Sequence, residues 1–522
     1  MILPSTIEVI NVVKQPPQTD HNNLSIWFSE QIWGHRLYSQ SPWLIFLEFL
    51  TVAESCHRDG TLLNEKGTHY PLLFKPSRRM FLRNILWNNE SIKYIAEQNQ
   101  NSDEAWGIWA AEMSAKALGA DPRNFDYLKT RFRSFQEFAA LVLMLQRDAS
   151  VESETNKRWT SRFVFPFGPN ALYEDLGITK VGLQRQYINF GRTGELLYLM
   201  LCRSSSADQV RPFLNGLLNG NNGWNRLLGR LQPDLDEELV SKGKSYLPYI
   251  SHPCFNNLGQ DWLRIFELNL PKFDAVWHLA TLGAMHLMLY QLHVAREWTS
   301  ESTPAHFICE VVAPKKTFVR QQSIFNFQDN NGLATKAVEA YLNEIEHSAE
   351  WQKATNESTT TEEAYVVCKQ ILEQHLWWKA KEYHGEHDPT RLLQKLREVA
   401  LDQHRKQSIS DIHRIYGREI GLVSRRGTNR YRYAPSDALL KTLLLANVSK
   451  RMEMKEFLHI LYERYGLVFG PREAELVLPS ADFEPKHFNA NETRLEQRLG
   501  SLGLLRRLSD GCAYVINPNT KD

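Results

Sequence analysis

Residues 273–295 constrain the fold more than any other segment. They form the longest apolar stretch of the chain and approach the length that crosses a bilayer or the core of a domain, at about 1.5 Å of rise per residue. Asp274, His278, His286, Gln291 and His293 interrupt the stretch, and Arg296 and Glu297 follow it. Such groups are costly in lipid, whereas in a protein interior each can find a hydrogen-bond partner. The stretch therefore predicts a buried helix around which other helices pack, and no membrane partner. At 522 residues the chain exceeds one ordinary core, and 43% hydrophobic with 23% charged residues is the balance of a folded protein.

The periodicity predicts a mainly α fold with minor β, in several domains. Apolar positions recur every three or four residues over 24–50, where Trp27, Trp33 and Trp43 read as core, and over 77–88, 102–118 and 134–147, the last two behind serine caps. A second helical layer is expected over 262–298, strands over 307–312 and 318–327, and a turn at Asn330-Asn331-Gly332 before a helix over 333–347. Residues 215–223, rich in Gly and Asn, read as a loop, and the Thr/Glu-rich residues 353–363 as a linker. The expected units are an N-terminal helical domain (1–150), a central helical domain with a few strands (151–352), the linker, a helical segment carrying a basic hairpin (364–435) and a C-terminal module (436–522). Six scattered cysteines without a CxxC pair, and an N-terminus interrupted by Pro4 and Glu8, predict a reducing, cytoplasmic setting with no zinc ribbon and no signal peptide.

The C-terminal module reads as winged-helix-like. Helices over 437–447 behind Ser436, over 455–465 stopped by Gly466, and over 489–502 are followed by a hairpin turning at Ser509-Asp510-Gly511. In such a module the third helix enters the major groove and the wing touches phosphates, which makes Arg494, Arg498, Arg506 and Arg507 candidate DNA contacts. Glu492, Glu496 and Asp510 alternate with them, however, and residues 436–522 hold twelve charges of each sign. Winged helices also dock proteins, so both uses stay open. The stronger electrostatic signal precedes the module. Residues 405–435 carry eight Lys/Arg against two acids, and the hairpin expected over 421–433 presents Arg425, Arg426, Arg430 and Arg432 with two tyrosines, a pattern able to lie along a phosphate backbone. The run 157–169 also mixes basic and aromatic residues, for which a core strand with a basic edge is the simpler reading.

Catalytic signatures fail individually. Gly243-Lys244-Ser245 lacks the glycine of a phosphate-binding loop, since Glu238 occupies its place. His384-Gly385-Glu386 and Pro253-Cys254 match fragments of a zinc-deaminase signature in reversed order, with Asn257 where the second cysteine belongs. The cluster 382–388 reads as a solvated helix end. His278 and His286 share a helical stripe with His293 but lie about 12 Å apart along it, too far for one ion. Glu310, with Lys315 and Lys316 and the upstream acids Asp261, Glu267 and Asp274, is the nearest approach to a metal-dependent nuclease site. No cofactor or metal site is expected.

Four segments, residues 33–36, FVFPFGPNALY at 163–173, GRTGELLYLMLCR at 191–203, and 433–445, resemble accessory components, of unassigned chemistry, of multigene bacterial anti-phage defence islands of the methylation-associated type. The resemblance spans most of the chain and transfers no catalytic residue. It implies a non-catalytic component that associates with DNA or docks to other defence-system subunits. The alternatives are a divergent metal-dependent nuclease of the same system and a purely protein-binding scaffold.

Overall fold

The 273–295 stretch lies within a single helix, Lys272–Trp298, whose residues from Val276 onward are mostly buried. Helices Pro42–Arg58, Pro253–Glu267, Phe318–His347 and Ile412–Glu419 pack on it. The computed structural model describes residues 28–34, 37, 41–64, 73–74, 77–116, 124–149, 162–164, 168–174, 176–179, 182–185, 193–234, 241–242, 247–299, 304–313, 317–376, 378, 383–406, 409–425, 429–480, 483–509 and 512–520. The protein is mainly α with short strands, and no described helix is long and apolar enough to cross a membrane. Three hydrogen bonds tie the central helix to its neighbours. Trp33 donates its indole N–H to the Gln291 carbonyl at 2.9 Å, His286 bonds the Asp261 carboxylate at 2.7 Å, and His278 bonds the Thr442 hydroxyl at 2.7 Å.

Helix Thr193–Cys202, buried throughout, lies against Pro42–Arg58. Gly194 makes that approach possible, because a Cβ there would overlap the Glu48 side chain and the Phe49 backbone. The buried Glu48 carboxylate accepts the Gly194 N–H at 2.8 Å. One apolar cluster runs from Ile32 to Val515 and takes in the central and C-terminal helices, whereas a second joins helices between Ser77 and Ala149 with Leu172, Leu228 and Leu231. In that second cluster Ser134 caps its helix as expected, while Ser102 accepts the Phe135 N–H and Asn101 caps the 102–116 helix instead.

The structure corrects three local expectations. Phe318–His347 is one helix of 30 residues, so residues 318–327 form no strand and Asn330-Asn331-Gly332 is no turn. The Thr317 hydroxyl caps its start, and Asn330, with Asn326 one turn before it, holds neighbouring backbone instead of forming a turn. Asn326 accepts the Ile308 N–H at 2.8 Å, and Asn330 donates to the His306 carbonyl at 2.9 Å. With those side chains engaged elsewhere, they do not compete for the helix's own backbone groups. Residues 215–218 complete helix Ala207–Leu218, leaving only 219–222 as a turn. Residues 353–357 end helix Ala349–Glu357 and 361–363 begin Thr361–Leu376, two helices that pack on each other around the 358–360 turn.

After Pro435 the chain forms helix Asp437–Asn447, strand Met452–Glu453, helix Met454–Tyr465, strand Leu467–Val468, helix Pro471–Val477, helix Pro485–Ser501 and strands Leu505–Ser509 and Cys512–Val515. Ser436 accepts the Leu439 N–H, and Gly466 closes the second helix in the left-handed conformation at φ 69°. Strand 452–453 pairs with 512–515, which pairs with 505–509, giving a three-stranded antiparallel sheet. This region is joined to the rest of the chain. Strand 467–468 pairs in parallel with Phe307–Ile308, Asn491 bonds the backbone of Cys309, Val311 and Phe469, and Arg464 and Tyr465 both donate to the buried Asp261.

Candidate nucleic-acid interface

The basic hairpin forms on strands Val423–Ser424 and Arg432–Tyr433, which pair antiparallel. Its second strand is anchored from beneath. The backbone of Tyr433 bonds Ser323 and Glu310, its ring meets Phe307 and Phe327, and its hydroxyl lies 2.7 Å from His413 Nε2 and 2.9 Å from Asn330 Nδ2. Strand alternation then sends Tyr431 and Arg432 to opposite faces.

Tyr431 is the centre of one face. Its ring stacks on Phe327 at 5.4 Å, and the guanidinium groups of Arg425 and Arg414 lie 4.9 and 5.7 Å from its centroid. Arg425 also donates to the Tyr431 hydroxyl at 3.3 Å. Hydrogen bonds from Arg425 and Arg414, reinforced by the charges of Arg414 and Arg418, pull the phenol down to about 8. The two guanidinium groups against this half-buried ring concentrate positive charge on the face. Asp411 offsets part of it by pairing with Arg414 at 2.7 Å. Helix Ile412–Glu419 carries Arg414 and Arg418 one turn apart, while its buried face (Ile412, His413, Tyr416) anchors it on the core.

The other face opens into a groove of about 420 Å³ lined by Thr317, Arg320, Gln321, Phe325, Asn429 and Arg430, with Arg432 at its base. Phe325 is 44% exposed and also walls a neighbouring cavity of about 560 Å³ that Arg296, His306 and Lys336 line. Arg430 is exposed. Arg432 is not. It is buried against Glu310, which is itself fully buried and also takes the Arg320 guanidinium at 2.7 Å. Arg432, expected to contact nucleic acid, is therefore a structural cation. A carboxylate sealed from water needs a charged partner, and Arg432 is the one facing it.

The other expected contacts are divided. Arg425 and Arg430 stand on the exposed hairpin, and Arg426 lies outside the described residues. In the C-terminal region Arg498 pairs with Asp437 and Arg507 with Glu496 at 2.6 Å, so both are partly neutralised. Arg506 is exposed, and Arg494 is half-buried on helix 485–501. Sequence reasoning missed Arg414 and Arg418 as site residues, although their four-residue spacing places them on one helix face. It also missed Arg320 and Phe325, because 318–327 was read as a strand. Lys157–Ser161, Gly243–Ser245, Lys315, Lys316, Asp510 and Gly511 lie outside the described residues.

The candidate catalytic groups disperse. Asp261 is held by Arg464, Tyr465 and His286, Glu267 pairs with Arg264, and Asp274 is exposed. Among the described residues, these acids and Glu310 make no group able to hold a metal ion. His384 and His387 are exposed, and His387 stacks on Tyr365 at 4.6 Å and bonds Glu362. Comparison with family models, with curated protein sequences and with solved structures finds no match for the chain.

Proposed function

We propose that this protein is a DNA-associated component of a bacterial anti-phage defence complex that grips the phosphate backbone through Arg414, Arg418 and Arg425 around Tyr431 and through Arg430 on the other face of the hairpin. The observation that carries this reading is the convergence of the Arg425 and Arg414 guanidinium groups on the half-buried Tyr431 ring, 4.9 and 5.7 Å from its centroid. Phosphate neutralisation dominates nucleic-acid affinity, and a group of guanidiniums around an aromatic ring both neutralises and stacks. The exposed Phe325 and the polar groove beside Arg430 add a second basic and aromatic patch on the other face of the hairpin. Assignment to a defence system rests on the resemblance of the four segments alone.

The region after Ser436 acts, in this reading, as a winged-helix-type unit that docks a partner subunit. Supporting it are a first strand between the first two helices, a hairpin after the last helix, and a sheet with the first strand beside the final one. Ion pairing of Arg498 and Arg507 favours docking over groove reading here.

Fluorescence anisotropy of the full chain with duplex and single-stranded oligonucleotides over a salt series tests the proposal. The logarithm of affinity is expected to fall linearly with that of salt, and each of Arg414→Ala, Arg418→Ala, Arg425→Ala and Arg430→Ala to reduce the slope by about 1. Affinity indifferent to salt and to these four changes overturns it. Loss confined to Arg506→Ala and Arg494→Ala would instead move the DNA contact to the C-terminal unit.

A further inference from the structure

Three metal-ligating side chains converge away from the arginine surface. His252 precedes helix 253–267, Cys254 lies in its first turn, and His293 projects from the facing helix 272–298. One ligand atom from each lies within 4.8 Å of the other two. Cys254 Sγ stands 3.6 Å from His293 Nδ1, and the two imidazole centroids are 6.0 Å apart. One turn beyond His293, Glu297 brings Oε1 to 3.8 Å from His252 Nε2. Around a tetrahedral zinc ion a sulfur and a nitrogen ligand stand about 3.5 Å apart and two N/O ligands about 3.3–3.5 Å, so the Cys254–His293 separation of 3.6 Å matches and the wider ones close by a few tenths of an ångström to about 1 Å on binding.

We propose that His252, Cys254 and His293 bind one Zn²⁺ ion that ties the start of the 253–267 helix to the central helix, the neighbouring Glu297 side chain turning in to take the fourth position. Two imidazoles and a thiolate are a donor set of the softness zinc prefers over magnesium or calcium. One thiolate and one carboxylate also cancel the charge of the ion, as a buried site requires. His293 Nε2 is buried and has no hydrogen-bond partner, so the ring is held in place without a polar contact there. Each imidazole, when neutral, offers a ring-nitrogen lone pair to the ion. Burial raises the Cys254 thiol, so binding must displace its proton to solvent. His252 Nδ1 accepts the Cys254 N–H, and ligation through Nε2 shifts the ring proton to Nδ1 and gives up that bond. The Glu297 side chain, 38% exposed, provides the way in for the ion.

The test uses the purified full chain, stripped with a chelator and titrated with Co²⁺ and then Zn²⁺. Expected are one equivalent bound, a thiolate-to-cobalt charge-transfer band, and its loss on Zn²⁺ addition. Cys254→Ser should abolish the band, the exposed Cys512→Ser should leave it intact, and Glu297→Gln should weaken affinity by at least about tenfold. A titration without the band, or a band that survives Cys254→Ser, overturns the site. Should Cys254→Ser fail to fold, zinc-edge X-ray absorption of the wild-type chain decides: one sulfur among the scatterers supports the site, and a shell without sulfur overturns it.

Discussion

Replacing Arg432 with alanine separates a structural from a DNA-binding role for the hairpin. In the native protein the Glu310 carboxylate has 0% side-chain exposure and is shared by Arg432, at 5%, and Arg320, at 20%. Removing one partner of a buried ion pair costs about 3–5 kcal/mol, because the remaining charge is left without compensation. Arg320 stays in place, so the loss belongs at the low end, about 3 kcal/mol. For a urea m-value of about 3 kcal/mol per M, that lowers the midpoint of the transition reporting on the main core by about 1 M. Tryptophan fluorescence follows it, since Trp33, Trp262 and Trp298 are buried in that cluster. Arg430→Ala, two residues away and exposed, should shift the midpoint by no more than about 0.5 kcal/mol equivalent, yet reduce the salt slope of DNA binding by about 1. The double change Glu310→Gln with Arg432→Met should destabilise less than the two single losses summed, as contacting partners do. An unchanged midpoint in Arg432→Ala, with DNA affinity falling as in Arg430→Ala, would refute the buried placement.

Gly194→Ala should destabilise by about 3 kcal/mol or more, because its methyl group meets Glu48 and Phe49 and stands 2.6 Å from the Ile45 carbonyl oxygen; a midpoint within about 0.5 kcal/mol of wild type refutes the close helix contact. Acid should weaken the fold early. Burial holds His278 and His404 near 4 and His413 near 3, all below the ordinary 6.5, so each favours the folded state fully above pH 6.5 and loses that contribution as pH falls toward 4. With His306, also held near 4, the four histidines outside the proposed zinc site give a slope of about 5 kcal/mol per pH unit near pH 5. Stability curves flat between pH 6.5 and 5 contradict that count. Ultraviolet titration should detect one tyrosine ionising near pH 8, and Arg425→Ala should return it toward 10; its persistence in that variant would assign the signal elsewhere.

Sequence periodicity was most informative where local and tertiary forces agree. Helix 437–447 with its Ser436 cap, the Gly466 stop and the buried central helix all followed from patterns confined to one turn or one face. The 318–347 helix was not legible, because turn-forming asparagines lose that tendency only when a strand distant in the chain engages their side chains. Local charge pattern marked the arginine hairpin but could not rank its members. Arg430 and Arg432 look equivalent in sequence, and only the position of Glu310, 122 residues earlier, makes one of them a buried counter-ion. The histidines tell the same story. Spacing along one helix correctly separated His278, His286 and His293, but the groups that meet His293 come from another helix, with Cys254 39 residues away. By itself the sequence determined the strongly periodic helices, such as 437–447 and the central one, and where positive charge concentrates. Which charges face water, and which ligands share a site, was decided by packing between segments distant in the chain, because burial and proximity are properties of the assembled core.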